Sequence, residues 1–473
     1  MALPLGERND RVGAARLSFD RGTLVIEGVE PNAVQWLPGV IWDPRVGSYR
    51  APACKYRDIV QGLEQLGHAV CDLVLPQASA LARSWAPIEL RPYQQAALTA
   101  WELAGRRGVI ALPTGSGKTR VAVAALARLE RPALCLVPTR VLLWQWVKEL
   151  GQWHPGPIGC FGDGQRRIEP ITVCTFESAM RHAARFGAHF GAVIVDEAHH
   201  FGAGIQDEAL EMLTAGFRLG LTGTLPTDSV QAARLSELLG PVVYRLAIDD
   251  LAGTYLASYD LVVIELHLER DERQRYEREV MAFRTFNRAF RRISPEASWI
   301  ELVRAAMKSI TGRQALAAWR ESQRIQAFPA AKRRHLGELL ARHRGNKVLV
   351  FTPNNETAYA VAREHLLMPL TCDIHRTERD AALDMFRRGA LGALVSSRVL
   401  NEGLDVPDAD VAIIVGGTLG EREHVQRIGR LLRPRPGKRA VIYELVTAGT
   451  SETRLANKRR RGLSAPVSRF PPD

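Results

Sequence analysis

Residues 109–119 read Val-Ile-Ala-Leu-Pro-Thr-Gly-Ser-Gly-Lys-Thr, and their order decides the fold. An apolar run too short for a helix breaks at Pro113, two glycines follow, and Lys118-Thr119 opens a helical pattern. Strand, glycine turn and helix N-terminus together form the context in which successive backbone N–H groups hold phosphate. Thr114, Gly115, Ser116 and Gly117 are the predicted cradle; Lys118 reaches the β- and γ-phosphates and the Thr119 hydroxyl binds Mg²⁺. The strict G-x-x-x-x-G-K-T pattern requires glycine at 112, where this chain has leucine.

Asp196-Glu-Ala-His199 directly follows another apolar run, Ala192-Val-Ile-Val195, so its acids fall at a strand's carboxyl end, where open α/β sheets bind ligands. Asp196 is predicted to hold Mg²⁺ through water, and Glu197 to orient and deprotonate an attacking water. Arg430 and Arg433, spaced i, i+3 on one helix face, are predicted to point at the γ-phosphate. ATP and Mg²⁺ are the expected cofactors.

The runs 109–112, 133–137, 171–174, 192–195 and 217–221 alternate with helical patterns, which predicts a doubly wound parallel α/β lobe over 88–245. Runs at 347–351, 393–395, 411–415 and 440–443 predict a second lobe of similar design over 346–447. Between them, 246–345 reads as a connector and a helical insertion without strand signal from about 270. There Tyr276, Val280, Phe283, Phe286, Phe290 and Ile293 recur at steps of three and four, and Arg284, Arg288, Arg291 and Arg292 fall on the opposite face. One face is expected to pack, the other to meet nucleic-acid phosphates. Residues 14–75 read as a small α+β unit with a strand at 23–26 and a helix over 57–66, and 74–87 as a linker. A basic tail, 448–473, carries the cationic run 458–461 and ends in a Pro-containing segment expected to be partly disordered.

The 473 residues include 63 Lys+Arg against 51 Asp+Glu, a net charge of +12 that suits a polyanionic partner. Only eight of those 63 are lysines, so coding bias toward arginine also contributes. Six scattered cysteines without a C-x-x-C pair give no zinc site and read as free thiols of a reducing cytoplasm. No apolar stretch approaches the length of a membrane span, and residues 1–11 mix in Glu7, Arg8 and Asp10, so a cytoplasmic protein away from membranes is expected.

Taken together, Arg91-Pro-Tyr-Gln94, the glycine loop, Pro138-Thr-Arg140, Asp196-Glu-Ala-His199, Thr222-Gly-Thr224, Val350-Phe-Thr352, Asn401-Glu-Gly-Leu-Asp405 and Gln426-Arg-Ile-Gly-Arg430 with Arg433 resemble the ordered motifs of superfamily 2 helicases. The resemblance implies two RecA-like lobes, ATP hydrolysis, and Arg91 and Gln94 at the adenine. It implies that Thr139, Arg140, Thr175 and Thr352 contact DNA, that Gly403 and Asp405 lie at the nucleotide, and that His199, Thr222, Thr224 and Gln426 couple the two sites. Arg21-Gly-Thr-Leu-Val-Ile26, Asp43-Pro-Arg-Val-Gly-Ser-Tyr-Arg50 and Lys55-Tyr-Arg-Asp58 are similar to the damage-recognition-like N-terminal domain of archaeal and bacterial XPB helicases, and 270–292 falls at that family's thumb. The family implies 3′–5′ action on duplex, forked or single-stranded DNA in repair or transcription, by a monomer, with a nuclease or repair factor as partner. An RNA helicase, suggested by Asp-Glu-Ala-His, and an ATP-gated DNA-binding scaffold are the alternatives. The family's Arg-Glu-Asp triplet falls on Thr227-Asp228-Ser229. Weak unaided unwinding is expected from that loss.

Overall fold

The structure is a computed structural model that describes residues 14–74, 85–397, 409–416, 438–460 and 467–470. The chain divides into two compact units, Met1–Pro113 with Gly117–Leu246, and Thr114–Ser116 with Ala247–Asp473.

In the first unit, strands β1 (Ala15–Asp20), β2 (Thr23–Glu27), β3 (Ile41–Asp43), β4 (Ser48–Pro52) and β5 (Val70–Asp72) form a sheet of order β3-β4-β2-β1-β5. Arg21 and Gly22 both take positive φ, 47° and 86°, at the two-residue turn between β1 and β2, the backbone twist a tight antiparallel hairpin needs. Leu17, Leu24 and Ile26 pack on Ile59 and Leu63 of helix Tyr56–Gln65, one residue from the expected span.

The larger sheet of this unit contains β6 (Arg107–Ala111), β7 (Ala133–Val137), β8 (Ile158–Gly162), β9 (Gln165–Arg167), β10 (Ile171–Thr175), β11 (Ala192–Val195), β12 (Phe217–Thr222) and β13 (Val242–Arg245). Its order is β13-β6-β12-β11-β7-β10-β8-β9, parallel except for the β8–β9 hairpin. All five predicted strands are present, because strands covered on both faces are uninterrupted apolar runs. The order sets β6, β12, β11 and β7 side by side, so the loops leaving their carboxyl ends are neighbours.

The second unit holds a parallel sheet of β14 (Ser258–Leu266), β15 (Val348–Phe351), β16 (Met368–Leu370), β17 (Ala393–Ser396), β18 (Val411–Ile414), β19 (Arg439–Thr447) and β20 (Val467–Phe470), ordered β16-β17-β15-β18-β19-β14-β20. The sheet therefore begins inside the stretch read as connector. β14 pairs with β19 over nine residues, and its Asp260 is held by Arg439 at 2.6 Å.

Four helices, Arg270–Ile293, Trp299–Met307, Ile310–Ala327 and Ala330–Arg342, fill the insertion as the periodicity predicts. Phe283, Phe286 and Phe290 pack on Leu302, Ala306 and Leu316. Ile293, expected on that face, is instead 84% exposed at the helix end. In the predicted basic tail, Ser451–Arg459 is a helix, and Arg459 is buried against Glu444 at 2.8 Å rather than solvated. Among the described residues no helix is long and apolar enough to cross a membrane, and none of the six cysteines is paired. Most of the predicted linker lies outside the described residues.

Candidate nucleotide site and nucleic-acid groove

The loop after β6 starts as an extension of the sheet: Leu112 N–H donates to Thr222 O of β12 at 2.9 Å, and the leucine side chain is buried. Position 112 does not take positive φ, which explains why it tolerates leucine. Gly115 and Gly117 do, at 85° and 80°, and Gly117 directly precedes helix Lys118–Leu129. Any side chain at 117 would suffer both that backbone conformation and a Cβ 2.6 Å from Gln94 Nε2. Gln94 is itself fixed. Its Oε1 accepts Arg91 N–H at 2.9 Å and its Nε2 donates to Gly117 O at 3.4 Å. Lys118 Nζ lies 3.3 Å from Leu112 O and 3.4 Å from Pro113 O, inside the loop it is expected to serve.

Asp196 and Glu197 follow β11, next to β12 in the sheet. Asp196 is buried; Oδ2 accepts the Trp146 indole N–H at 2.9 Å and Oδ1 accepts Glu197 N–H at 3.0 Å. Burial pushes its carboxyl up to about 6, repulsion from Glu197 adds to the rise, and Lys118 and the indole oppose it. A site that disfavours an isolated carboxylate in this way suits a cation, which favours the ionised form. Glu197 sits in the left-handed region at φ 49°, a conformation that costs a non-glycine residue roughly 1–2 kcal/mol. Its Oε2 is buried, lies 3.4 Å from His199 Nδ1 and, among the described residues, makes no hydrogen bond, which leaves it able to accept from an attacking water. The donor set therefore fits Mg²⁺ with a triphosphate: Thr119 and Asp196 are the candidate metal residues.

His199 Nδ1 lies 3.0 Å from Thr222 Oγ1, and that hydroxyl donates to Thr224 O at 2.6 Å. The three predicted coupling residues of this lobe thus form one chain of contacts. Gln231 extends it by donating to His199 O at 3.0 Å and Phe201 O at 3.1 Å. Gln231 belongs to helix Ser229–Leu239, whose N-cap is Asp228, with Oδ1 accepting Gln231 N–H at 2.8 Å. The triplet Thr227-Asp228-Ser229 is therefore a helix start.

On the same lobe, Thr139, Arg140 and Thr175 line one cavity of about 510 Å³ together with Arg166, Arg181 and His182. Two helices, Arg140–Trp153 and Phe176–Phe186, begin at it, and each is capped by its threonine: Thr139 Oγ1 accepts Leu142 N–H and Thr175 Oγ1 accepts Ser178 N–H, both at 3.3 Å. Paired helix N-termini with exposed arginines favour phosphate.

In the second unit Thr352 is fully buried, and its hydroxyl donates to Asn354 O at 3.2 Å and Ser396 O at 3.3 Å, so that hydroxyl does not face solvent as a DNA contact would. Arg284, Arg288 and Arg292 are exposed at intervals of four along one helix face. Arg291 differs: its guanidinium closes its own helix end on Pro295 O and Ala297 O. Gly403, Asp405, Gln426, Arg430 and Arg433 lie outside the described residues. Neither Trp146 nor Gln231 is marked by any sequence motif. Trp146 shares a buried i, i+3, i+7 face with Leu143 and Leu150, which marks it as core and nothing more.

Three family descriptions match the chain: "Type III restriction enzyme, res subunit" over residues 87–227, "Xeroderma pigmentosum group B helicase damage recognition domain" over 17–74, and "Helicase conserved C-terminal domain" over 331–435. The chain is 34% identical over 432 residues to a Sulfurisphaera tokodaii protein named DNA 3′-5′ translocase XPB2, covering 90% of this chain and 96% of that one. It is 29% identical to a Mycobacterium tuberculosis protein named DNA 3′-5′ helicase XPB, covering 80% of this chain and 64% of that protein. Among solved structures, the Pyrococcus furiosus Hef helicase domain shares the fold with a TM-score of 0.55 at 18% identity, covering 79% of this chain and 98% of that one. Because the likeness to the Sulfurisphaera protein covers 90% of this chain and 96% of that one, and the damage-recognition description matches residues 17–74, the chain belongs to the XPB-type superfamily 2 helicases.

Proposed function

We propose that the chain is an ATP-hydrolysing motor that moves 3′–5′ on DNA in repair or transcription. The observation that carries this reading is the placement, at the carboxyl ends of β6 and β11, one strand apart in one sheet, of the phosphate loop and of an acid pair whose Glu197 Oε2 is buried and, among the described residues, makes no hydrogen bond. The polarity comes from the names borne by the Sulfurisphaera and Mycobacterium relatives.

In this reading the backbone N–H groups from Gly115 to Thr119 and the Lys118 ammonium hold the triphosphate. Mg²⁺, held by Thr119 and through water by Asp196, would neutralise charge on the phosphates. Glu197 orients a water on the γ-phosphorus and takes its proton at Oε2 as the bond to the β–γ bridging oxygen breaks, releasing ADP and phosphate. His199, two residues beyond Glu197 and 3.4 Å from its carboxylate, passes changes at the acid pair to Thr222, Thr224 and, through Gln231, to the helix capped by Asp228. Arg430 and Arg433 contribute the cations from the second lobe.

The cavity at Thr139, Arg140 and Thr175 receives the DNA backbone, and the Arg284, Arg288 and Arg292 stripe gives a second phosphate contact. Without arginine at 227 no cation stands there to grip a strand, so movement along duplex, or unwinding aided by a nuclease or other repair factor, is the working mode. ATPase measured with duplex DNA, single-stranded DNA and RNA of equal length tests the reading. Stimulation by DNA supports it, and stimulation by RNA alone refutes it.

A further inference from the structure

A polar hub is buried where the helical insertion meets the second sheet. Lys332, on helix Ala330–Arg342, is fully buried, and its ammonium reaches three acceptors: Gln326 O at 3.3 Å, Val415 O at 2.6 Å and Glu452 Oε2 at 2.7 Å. A lysine has three N–H donors, so all are satisfied. Each acceptor belongs to a different element. Gln326 is in the last turn of insertion helix Ile310–Ala327, Val415 directly follows β18, and Glu452 is on helix Ser451–Arg459.

Glu452 Oε2 also accepts the N–H of Thr447, the last residue of β19, at 2.9 Å, and Thr447 Oγ1 donates to Gln326 O at 2.8 Å. Beside it Ser451 N–H donates to the Tyr276 hydroxyl at 3.1 Å, and Tyr276 lies on the helix that carries Arg284, Arg288 and Arg292. Position 416 closes over the pair, since a Cβ there would stand 2.8 Å from Glu452 Oε1 and 3.4 Å from Lys332 Nζ. The hub, with the Tyr276 contact beside it, thus binds three helices of the insertion to the carboxyl ends of adjacent central strands, the end of the sheet at which α/β folds act on ligands.

A buried ion pair is a weak source of stability compared with apolar residues of similar volume, but it admits few arrangements that satisfy every donor. We propose that Lys332 and Glu452 are positioning residues that couple DNA binding on the insertion to ATP turnover. This rests on the reading that the Arg284, Arg288 and Arg292 stripe binds DNA.

The test uses the full chain with Lys332→Met and Glu452→Leu together, which removes both charges and leaves neither unpaired. After a thermal melt has established that it folds, basal kcat, KM for ATP and duplex-DNA affinity are expected to be unchanged. The DNA stimulation of kcat is expected to fall about fivefold or more, the low end of usual coupling between sites. Glu452→Gln, which keeps an acceptor for Lys332 and Thr447, is expected to retain most of the stimulation. Full stimulation in the double variant, or parallel loss of basal and stimulated turnover, overturns the inference. Unchanged DNA affinity in Arg284→Gln/Arg288→Gln would instead overturn the reading beneath it.

Discussion

Trp146→Phe separates the role of the indole N–H from that of the ring. The indole donates to Asp196 Oδ2 at 2.9 Å in a buried setting, and among the described residues the carboxylate accepts only one other hydrogen bond, from Glu197 N–H. A hydrogen bond to a buried charged group contributes about 1.5–3 kcal/mol, and every 1.4 kcal/mol is about tenfold in an equilibrium constant. Removing the donor both raises the carboxyl further and frees it to rotate, so Mg²⁺ should bind about 10–100-fold more weakly. The assay is DNA-stimulated ATPase titrated with Mg²⁺ at saturating ATP. The expected result is a half-saturation point moved up by one to two decades, with much of kcat recovered at high Mg²⁺. A thermal melt without nucleotide reports the packing lost with the smaller ring separately. An unchanged Mg²⁺ requirement would refute the assignment of Trp146 as the residue that orients Asp196.

Lys118→Ala should weaken ATP binding, whereas Glu197→Gln should keep ATP bound and stop turnover, because the carboxamide cannot accept the proton; equal loss of affinity in an equilibrium titration would contradict both roles. Arg284→Gln with Arg288→Gln should make the log–log dependence of DNA binding on salt shallower by roughly two, and Arg291→Gln should change it little because that guanidinium closes its own helix end. Installing Arg-Glu-Asp at 227–229 should raise fork unwinding at a similar ATPase rate, while the loss of Asp228 as N-cap lowers stability by about 1 kcal/mol, read as a drop in melting temperature. No gain in unwinding would show that the triplet is not limiting.

Much of the fold is legible because parallel strands covered on both faces are continuous apolar runs, and because the insertion's phenylalanines recur at helical steps. β14 escaped that reading. Asp260 and Glu265 interrupt its pattern, and Asp260 belongs in a strand only because Arg439 lies on the neighbouring strand. The β8–β9 hairpin was hidden by its Gly162-Asp-Gly164 turn, which reads as loop. In the site, residues that touch phosphate follow a local pattern and can be found in the chain. Those that orient them cannot, since Trp146 meets Asp196 across 50 positions of sequence and Gln231 meets His199 across 32. The partners of basic residues are hidden for the same reason. Arg291, Lys332 and Arg459 look like solvated cations one by one, and their partners emerge only from packing.

Movement on DNA driven by ATP is tested most directly by displacement of a triplex-forming third strand from an intact duplex. The unmodified chain is predicted to release that strand only with ATP and Mg²⁺, and Glu197→Gln to leave it in place. A third strand that stays bound while the chain hydrolyses ATP at a DNA-stimulated rate would contradict the account.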